Sequence, residues 1–449
     1  MRAVTRTQTP PFALPVVLVT GLALISAYVV GLFVLMETTP YDVWGALVLA
    51  PILIAVTVPA LARQAAREGD RTLFRLLLLA LFLKLGGTAA RHFVAFGLYG
   101  GVADAAGYHE WGARLAEQFW RGDFATGLPN LSSTHFIRFL TGLVYSVIGP
   151  TELGGFLFYS WLGFWGLFLF YRAFVITVPE TRARTYARLL FFMPSLLFWP
   201  SSIGKEAWMM LTLGLACFGI AKLLRGEVMG GVLPTVLGLW LAAIVRPHVA
   251  GMVAVAAAVA VLVRRPSLEL RQLAPAVKVV SLAAVLVVAS VLVLRTDRFL
   301  QGAGIETEGG VTSTLEGVNE RTSEGGSEFA SSVVDRPMRA PIALVTVLYR
   351  PFVFEAHNTQ ALLSAVEAMV LLTITLLRWR SVAAALRTVR RVPYLAFVLA
   401  YSAMFVVGFS SIANFGILAR QRVQLYPLFL VLLCLPTPGS RTAHGDGGA

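Results

Sequence analysis

Along most of the chain apolar residues come in unbroken blocks rather than in alternation with polar ones, and short segments carrying arginine, glycine and proline separate the blocks. A bilayer core offers no water to backbone groups, so a chain crosses it as helices of about 20 apolar residues that satisfy their own hydrogen bonds. The pattern predicts twelve such spans, near 14–36, 43–62, 73–98, 153–176, 186–200, 206–224, 228–245, 249–263, 275–295, 361–378, 394–411 and 423–437. The first block is longer than a signal-peptide core and has no small-residue cleavage pattern after it, so it reads as a retained helix. Residues 136–149 are too few to span and too apolar for free solution, which fits an interfacial helix. The expected fold class is an all-α polytopic membrane protein with about 12 transmembrane helices. No repeat of 20–50 residues is visible.

These blocks divide the chain into an N-terminal transmembrane hairpin (1–72), a membrane core (73–295) carrying a long loop at 99–152, a second long loop (296–360), C-terminal transmembrane helices (361–437) and a short tail (438–449). Within the second loop, Gly302 to Ser332 is rich in Gly, Ser, Thr and Glu and lacks the apolar residues to build a core; it reads as a linker or as a lid.

Composition agrees with this reading. Hydrophobic residues make up 57% and charged residues 14%, and the mean hydropathy is +0.74, an apolar excess that no soluble core accommodates. Lys+Arg 37 against Asp+Glu 24 leaves +13, but the cations gather at span ends rather than on a nucleic-acid face, so nucleic acid is not an expected partner. Arg63, Arg67, Arg71 and Arg75 follow the second span, Arg182, Arg184 and Arg188 the fourth, Lys222 and Arg225 the sixth, and Arg264, Arg265 and Arg271 the eighth. The densest run, Arg378 to Arg391, follows the tenth. Short loops rich in Lys and Arg stay in the cytoplasm, which puts both termini there and loops 99–152 and 296–360 outside. Cys217 and Cys434 lie in apolar runs, against a disulfide framework or thiolate metal site.

Candidate chemistry gathers on the expected outer side. Asp104 follows a glycine pair at a membrane exit and opens a helix-forming segment that also carries Tyr108 and His109. A helix cap uses the same position, so a structural and a chemical role both stand for this carboxylate. The Pro194–Glu206 stretch predicts a hairpin with Lys205 and Glu206 at the surface, where they also fit a mutually neutralised pair. Arg246 and His248 occupy the next outer turn, and Arg420 and Arg422 precede the last span on the side where retention disfavours arginine. Guanidinium forks match phosphate oxygens, so Arg420, Arg422, Arg246 and Lys205 are the expected phosphate ligands; binding of lipid headgroups explains any one of them as well. Arg350, Glu355, His357 and Asn358, among aromatics, are candidates to line a sugar or acceptor site, with Tyr108, His109 and His248; packing of an interfacial segment is the alternative. Lys84, inside an apolar run, is expected to pair with a neighbouring Asp or Glu, and Arg91 shares its face. Asp104, His109, Glu110 and Glu355 could be drawn together around a divalent metal, but no two-His helical spacing supports it, and no cofactor is expected.

The run Asp104-x-x-x-Tyr108-His109, with Gly112, Leu115, Ala116 and the closing Gly122-Asp123-Phe124, resembles the first outer loop of the GT-C superfamily of integral-membrane glycosyltransferases. The similarity is nearest the branch of protein O-mannosyltransferases and aminoarabinose transferases, and it continues through residues 134–172. It covers about residues 73–225, with weaker echoes to Arg422. The resemblance implies a GT-C-like fold, a polyprenyl-phosphate sugar as donor, a glycan, lipid or protein as acceptor, and a catalytic base at Asp104. Two departures accompany it: Ala105 stands where many members carry a second acidic residue, and two extra spans precede the motif. On this reading the chain is a multi-pass cell-membrane transferase whose active site faces away from the cytoplasm, and inversion at the sugar carbon follows. A polymerase or ligase of lipid-linked glycans needs the same parts. A transporter or flippase, the non-enzymatic alternative, tends to place ionisable groups near the midplane and to show internal repeats, whereas here the polar residues lie mostly at one surface and no repeat appears.

Overall fold

The computed structural model describes residues 13–98, 100–101, 104–178, 183–264, 337–356 and 358–436, with isolated positions 290, 318, 319, 322 and 329; of residues 13–17 only the backbone is described. No strand occurs among the described residues. The helices are α1 (Ala13–Thr38), α2 (Tyr41–Arg67), α3 (Arg71–His92, extended by π-helical turns over Phe93–Leu98), α4 (Asp104–Trp120), α5 (Ser133–Ile148) and α6 (Glu152–Thr177). They continue with α7 (Ala183–Phe192), α8 (Pro194–Phe198), α9 (Lys205–Arg225), α10 (Val228–Val245), α11 (Pro247–Val263) and α12 (Ala340–Tyr349). The last five are α13 (Thr359–Leu377), α14 (Trp379–Thr388), α15 (Pro393–Phe409), α16 (Phe415–Arg422) and α17 (Tyr426–Leu433).

Among the described residues seven helices are long and apolar enough to cross a membrane, or eight if α14 and α15, bent by 116°, form one broken span. The chain is therefore a polytopic membrane protein, but the twelve expected spans need correction. The block at 186–200 is not one helix, because Pro194 has no N–H to continue α7 and the chain restarts as the single turn of α8. The block at 423–437 is an eight-residue helix buried along its whole length, apolar because it is core and not because it meets lipid. The run at 249–263 appears as α11, short of a full span at 17 residues. The expected span at 275–295 lies, but for residue 290, outside the described residues, as does nearly all of Gly302–Ser332. Within the long loop at 296–360, the apolar helix α12 forms where no helix was expected.

The core is organised around α6, which packs against α2, α3 and α9 and is 72% buried over its most apolar window. α1 is the opposite case, with 0% of its window buried, and packs mainly against α2. Backbones approach closely where small residues meet: a Cβ at Gly214 of α9 would strike the carbonyl of Gly166 on α6, so glycine at both positions sets this crossing.

Lys84 corrects a second expectation. Its ammonium is buried and meets no carboxylate among the described residues; it donates to the carbonyls of Leu196 (2.8 Å) and Leu197 (3.2 Å) and to Ser201 Oγ (2.9 Å). The physical reason is the break at α8, which leaves carbonyls without helical partners, and three oxygens match the three donors of an ammonium.

Candidate functional site

α3 delivers the chain to Asp104, the first residue of α4. α4 buries Ala105, Tyr108, Gly112, Leu115, Ala116 and Phe119, a helical stripe, against α5, which buries Ile137, Thr141, Gly142 and Tyr145. A Cβ at Gly142 would fall 2.6 Å from that of Leu115, so the hairpin closes because this position has none. Within the hairpin His109 Nδ1 sits 2.8 Å from the Tyr145 hydroxyl, and two links seat it on the bundle: the Phe136 ring lies 4.9 Å from Trp208 of α9, and the Tyr41 hydroxyl of α2 donates to the Ile148 carbonyl. His92 pairs with Glu152 at the start of α6, and the Glu152 N–H donates to Asp42 Oδ1 at 3.0 Å.

α4, the turn before α9, and α16 together enclose a polar cleft of about 250 Å3, walled by Arg91, Asp104, Tyr108, Ser202, Glu206 and Arg420 among others. Arg420 is its centre. It donates through Nη1 to Asp104 Oδ2 (2.9 Å) and through Nε to Glu206 Oε1 (2.8 Å), joining residues 316 and 214 positions apart. Glu206 Oε1 also accepts from Arg246 Nη2 at 2.8 Å, so one buried carboxylate holds two guanidinium groups. Glu206 lies in the first turn of α9, where the helix dipole adds to the two arginines in favouring the charged carboxylate.

The electrostatics assign states to the outer members. The carboxylate of Glu206 beside it, and then Asp104, raise the Arg420 pKa against the opposing effect of burial, so the guanidinium is permanently charged. Burial pushes the Tyr108 hydroxyl up to about 12, and the nearby charges of Asp104 and Glu206 act in the same direction, so at neutral pH it is a protonated donor rather than a base. Asp104 is the open member of the cluster, its side chain 60% exposed against 7% for Glu206.

Beside the polar cleft runs an apolar groove of about 540 Å3 between the end of α3, α8 and α13. Arg91 connects the two. It lines the cleft, and its guanidinium lies 5.0 Å from the centre of the Phe198 ring and 5.1 Å from that of Trp199, both groove residues. In the groove wall Glu367 accepts from the backbone N–H (2.9 Å) and hydroxyl (2.7 Å) of Ser195.

Of the expected phosphate ligands, Arg420 lines the cleft, Arg246 stands behind Glu206, and Lys205 neighbours this charge cluster without lining the cleft. Arg422 is separated from them, and its pairing with Arg420 as a phosphate ligand is corrected: it is 1% exposed and donates through Nη1 to the Leu348 carbonyl at 3.1 Å. Residues two apart on a helix point to nearly opposite sides, so α16 can send only one of these arginines into the cleft. Among the expected substrate residues, Tyr108 lines the cleft, whereas His109 turns away to Tyr145. Arg350 and Glu355 pair with each other, Nε lying 3.0 and 3.1 Å from the two carboxylate oxygens, and Arg350 stacks on Phe329 and Phe415. Asn358 caps α13 by accepting from the Ala361 N–H at 2.8 Å and also lines the apolar groove. The His248 ring packs 6.2 Å from Phe409, and His357 lies outside the described residues. Among the described residues no three His, Cys, Asp or Glu side chains converge as a metal site.

Glu206 is the member that the sequence placed at the outer surface beside Lys205, with a mutually neutralised pair as one reading, without marking it as a site residue. An available signal was its place one residue into a helix that starts at a Gly turn, where a carboxylate is favoured and is held near any arginine arriving from another segment. Comparison of the chain with protein-family models, with curated proteins and with solved structures gives no match in any of the three.

Proposed function

We propose that the protein is an integral-membrane glycosyltransferase that moves a sugar from a polyprenyl-phosphate donor to an acceptor hydroxyl. The observation that carries this reading is the polar cleft with its paired carboxylates and arginines lying beside an apolar groove, with Arg91 common to both. A lipid-linked phosphate sugar has this division of chemistry: an apolar chain, an anionic group and a polyhydroxyl head.

In this reading the prenyl chain follows the groove, and Arg91 and Arg420 meet the phosphate. Arg420 has Nε and Nη1 committed to the two carboxylates, which fixes its plane and leaves Nη2 to meet a ligand. Asp104 accepts the proton of the acceptor hydroxyl while its oxygen attacks the sugar carbon from the face opposite the phosphate. The new carbon–oxygen bond forms as the carbon–phosphate oxygen bond breaks, the electron pair leaves on the phosphate, and configuration inverts. The protein resides in the cell membrane with the cleft facing away from the cytoplasm. A polymerase or ligase of lipid-linked glycans uses the same residues with a different acceptor.

Purified protein incubated with a panel of polyprenyl-phosphate sugars and hydroxyl acceptors tests the activity; sugar transfer that vanishes in Asp104→Asn is the expected result, and no transfer with any donor overturns the reading. Sidedness has its own test. A cysteine placed at position 387 in intact cells is expected to resist an impermeant thiol reagent while one at position 110 reacts, and labelling of position 387 from outside reverses the orientation.

A further inference from the structure

The end of the bundle away from Asp104 carries a second cavity, of about 430 Å3. With 1.5 Å of rise per residue, the 21 residues of α9 put its wall roughly 30 Å from Glu206. Four arginines from three separate stretches converge there: Arg225 in the last turn of α9, Arg264 directly after α11, and Arg390 and Arg391 in the turn before α15. Among the described residues no carboxylate lines the cavity. Glu227, next along the chain from Arg225, is engaged by Lys222 at 3.2 Å, and Arg264 spends Nη1 on the Leu223 carbonyl at 3.2 Å.

Two features separate this from the general excess of arginine at one membrane face. Orientation of a membrane protein requires cations on that side but not their convergence on one hollow. The second feature is α15, a helix of 17 residues whose first residues, Pro393 and Tyr394, form part of the wall, so the positive end of its dipole faces the same space as the guanidinium groups. Four like charges and a helix N-terminus around one hollow repel each other until an anion enters.

We propose that this cavity binds a phosphate-bearing anion, supplied by the headgroup of an acidic membrane lipid or by free phosphate. Guanidinium groups and a helix N-terminus are matched to phosphate oxygens, and a basic pocket between membrane helices is a headgroup site in general terms. The inference stands whether or not the cleft at the other end transfers sugar, because it is read by binding.

The test uses the full-length protein in detergent, titrated separately with dioleoylphosphatidylglycerol, dioleoylphosphatidylcholine and inorganic phosphate, with binding read by native mass spectrometry and by the thermal midpoint. Wild type is expected to bind the acidic lipid at least ~10-fold more tightly than the zwitterionic one, and R225Q/R390Q/R391Q to lose that preference. A midpoint raised by inorganic phosphate as well, with displacement of the acidic lipid, assigns the site to phosphate itself; a response to the acidic lipid alone assigns it to the headgroup. R63Q/R67Q/R71Q, which removes the same charge outside the cavity, is expected to keep the preference. If the triple cavity variant does not fold, Arg391→Gln alone is expected to weaken binding about 3- to 10-fold, as one charge-assisted contact fewer. The proposal is overturned if wild type responds to neither phosphate source, if the cavity variants keep wild-type affinity, or if the control variant loses as much as the cavity variant.

Discussion

The two ends of the bundle hold arginine in opposite ways. At the Asp104 end Arg420 and Arg246 share one buried carboxylate, and Arg420 reaches a second that is open to solvent. At the other end Arg225, Arg390 and Arg391 line a hollow with no carboxylate in its wall among the described residues. The contrast shows that an arginine's neighbours, not its presence, decide what it can do: the first set is fixed in orientation before a ligand arrives, whereas the second supplies charge that a ligand must organise. Preorganised donors suit a reaction in which charge develops at one point, and loosely held ones suit a resident anion.

The sharpest way to break the comparison is Asp104→Asn. Asparagine keeps the size of the side chain and can still accept from Arg420, but it cannot take a proton, so turnover is expected to fall about 10²- to 10⁴-fold with donor binding and thermal midpoint near wild type. Asp104→Ala provides the contrast. Should Asn retain full turnover and only Ala fail, Asp104 is a structural element of α4 and the cleft loses its base.

Glu206→Gln attacks the paired end at its anchor. It leaves Arg246 buried without its carboxylate, and breaking a buried pair by removing one partner costs about 3–5 kcal/mol. A drop of several degrees in thermal midpoint is expected even without donor. An unchanged midpoint means that water or another group already satisfies Arg246.

Arg420→Gln and Arg422→Gln are expected to separate two arginines that the sequence presents as a pair. Charge-assisted contacts to phosphate contribute about 1.5–3 kcal/mol, so the first is expected to weaken donor affinity about 10- to 150-fold. Arg422 bonds the Leu348 carbonyl inside the core, and its substitution is expected to lower stability while leaving donor affinity alone. Equal loss of affinity in both variants returns Arg422 to the cleft.

What the sequence showed and what it hid follow from the same physics. Helices α2, α3, α6, α9 and α10 were legible because each is one long apolar run with polar ends, which is all a lipid-crossing helix requires. The runs at 186–200 and 423–437 are as apolar, yet one is broken by Pro194 and the other is enclosed by protein; hydropathy does not separate lipid from core. In the cleft, Asp104, Tyr108 and Arg420 were legible as polar residues at a membrane boundary. Glu206 was hidden because its partners come from residues 246 and 420, and Lys84 because backbone carbonyls, which a sequence does not advertise, took the place of the expected carboxylate.

The smallest expected effect lies at the Arg-rich end and completes the contrast. Arg184 pairs with Asp70 at 2.5 Å, joining the start of α7 to the turn before α3, and its side chain is 59% exposed. Asp70 also caps α3, accepting from the N–H groups of Thr72 (2.9 Å) and Leu73 (3.2 Å). The ion pair and these caps hold the Asp70 carboxyl below the usual carboxylate range. By sign, stability from this carboxylate is present above its unfolded pKa and is lost as pH falls through the lower folded one. Solvent screens an exposed pair, however, and holding two mobile side chains in one geometry offsets much of the attraction. Arg184→Gln is therefore expected to leave the thermal midpoint unresolved from wild type at pH 7 in ordinary salt, in contrast to Glu206→Gln. Asp70→Ala, which removes the cap as well as the pair, is expected to lower the midpoint more than Arg184→Gln. If Arg184→Gln destabilises as much as Glu206→Gln, the two ends do not differ in how strongly their charges are held, and the distinction between an organised cleft and a loosely held basic face fails.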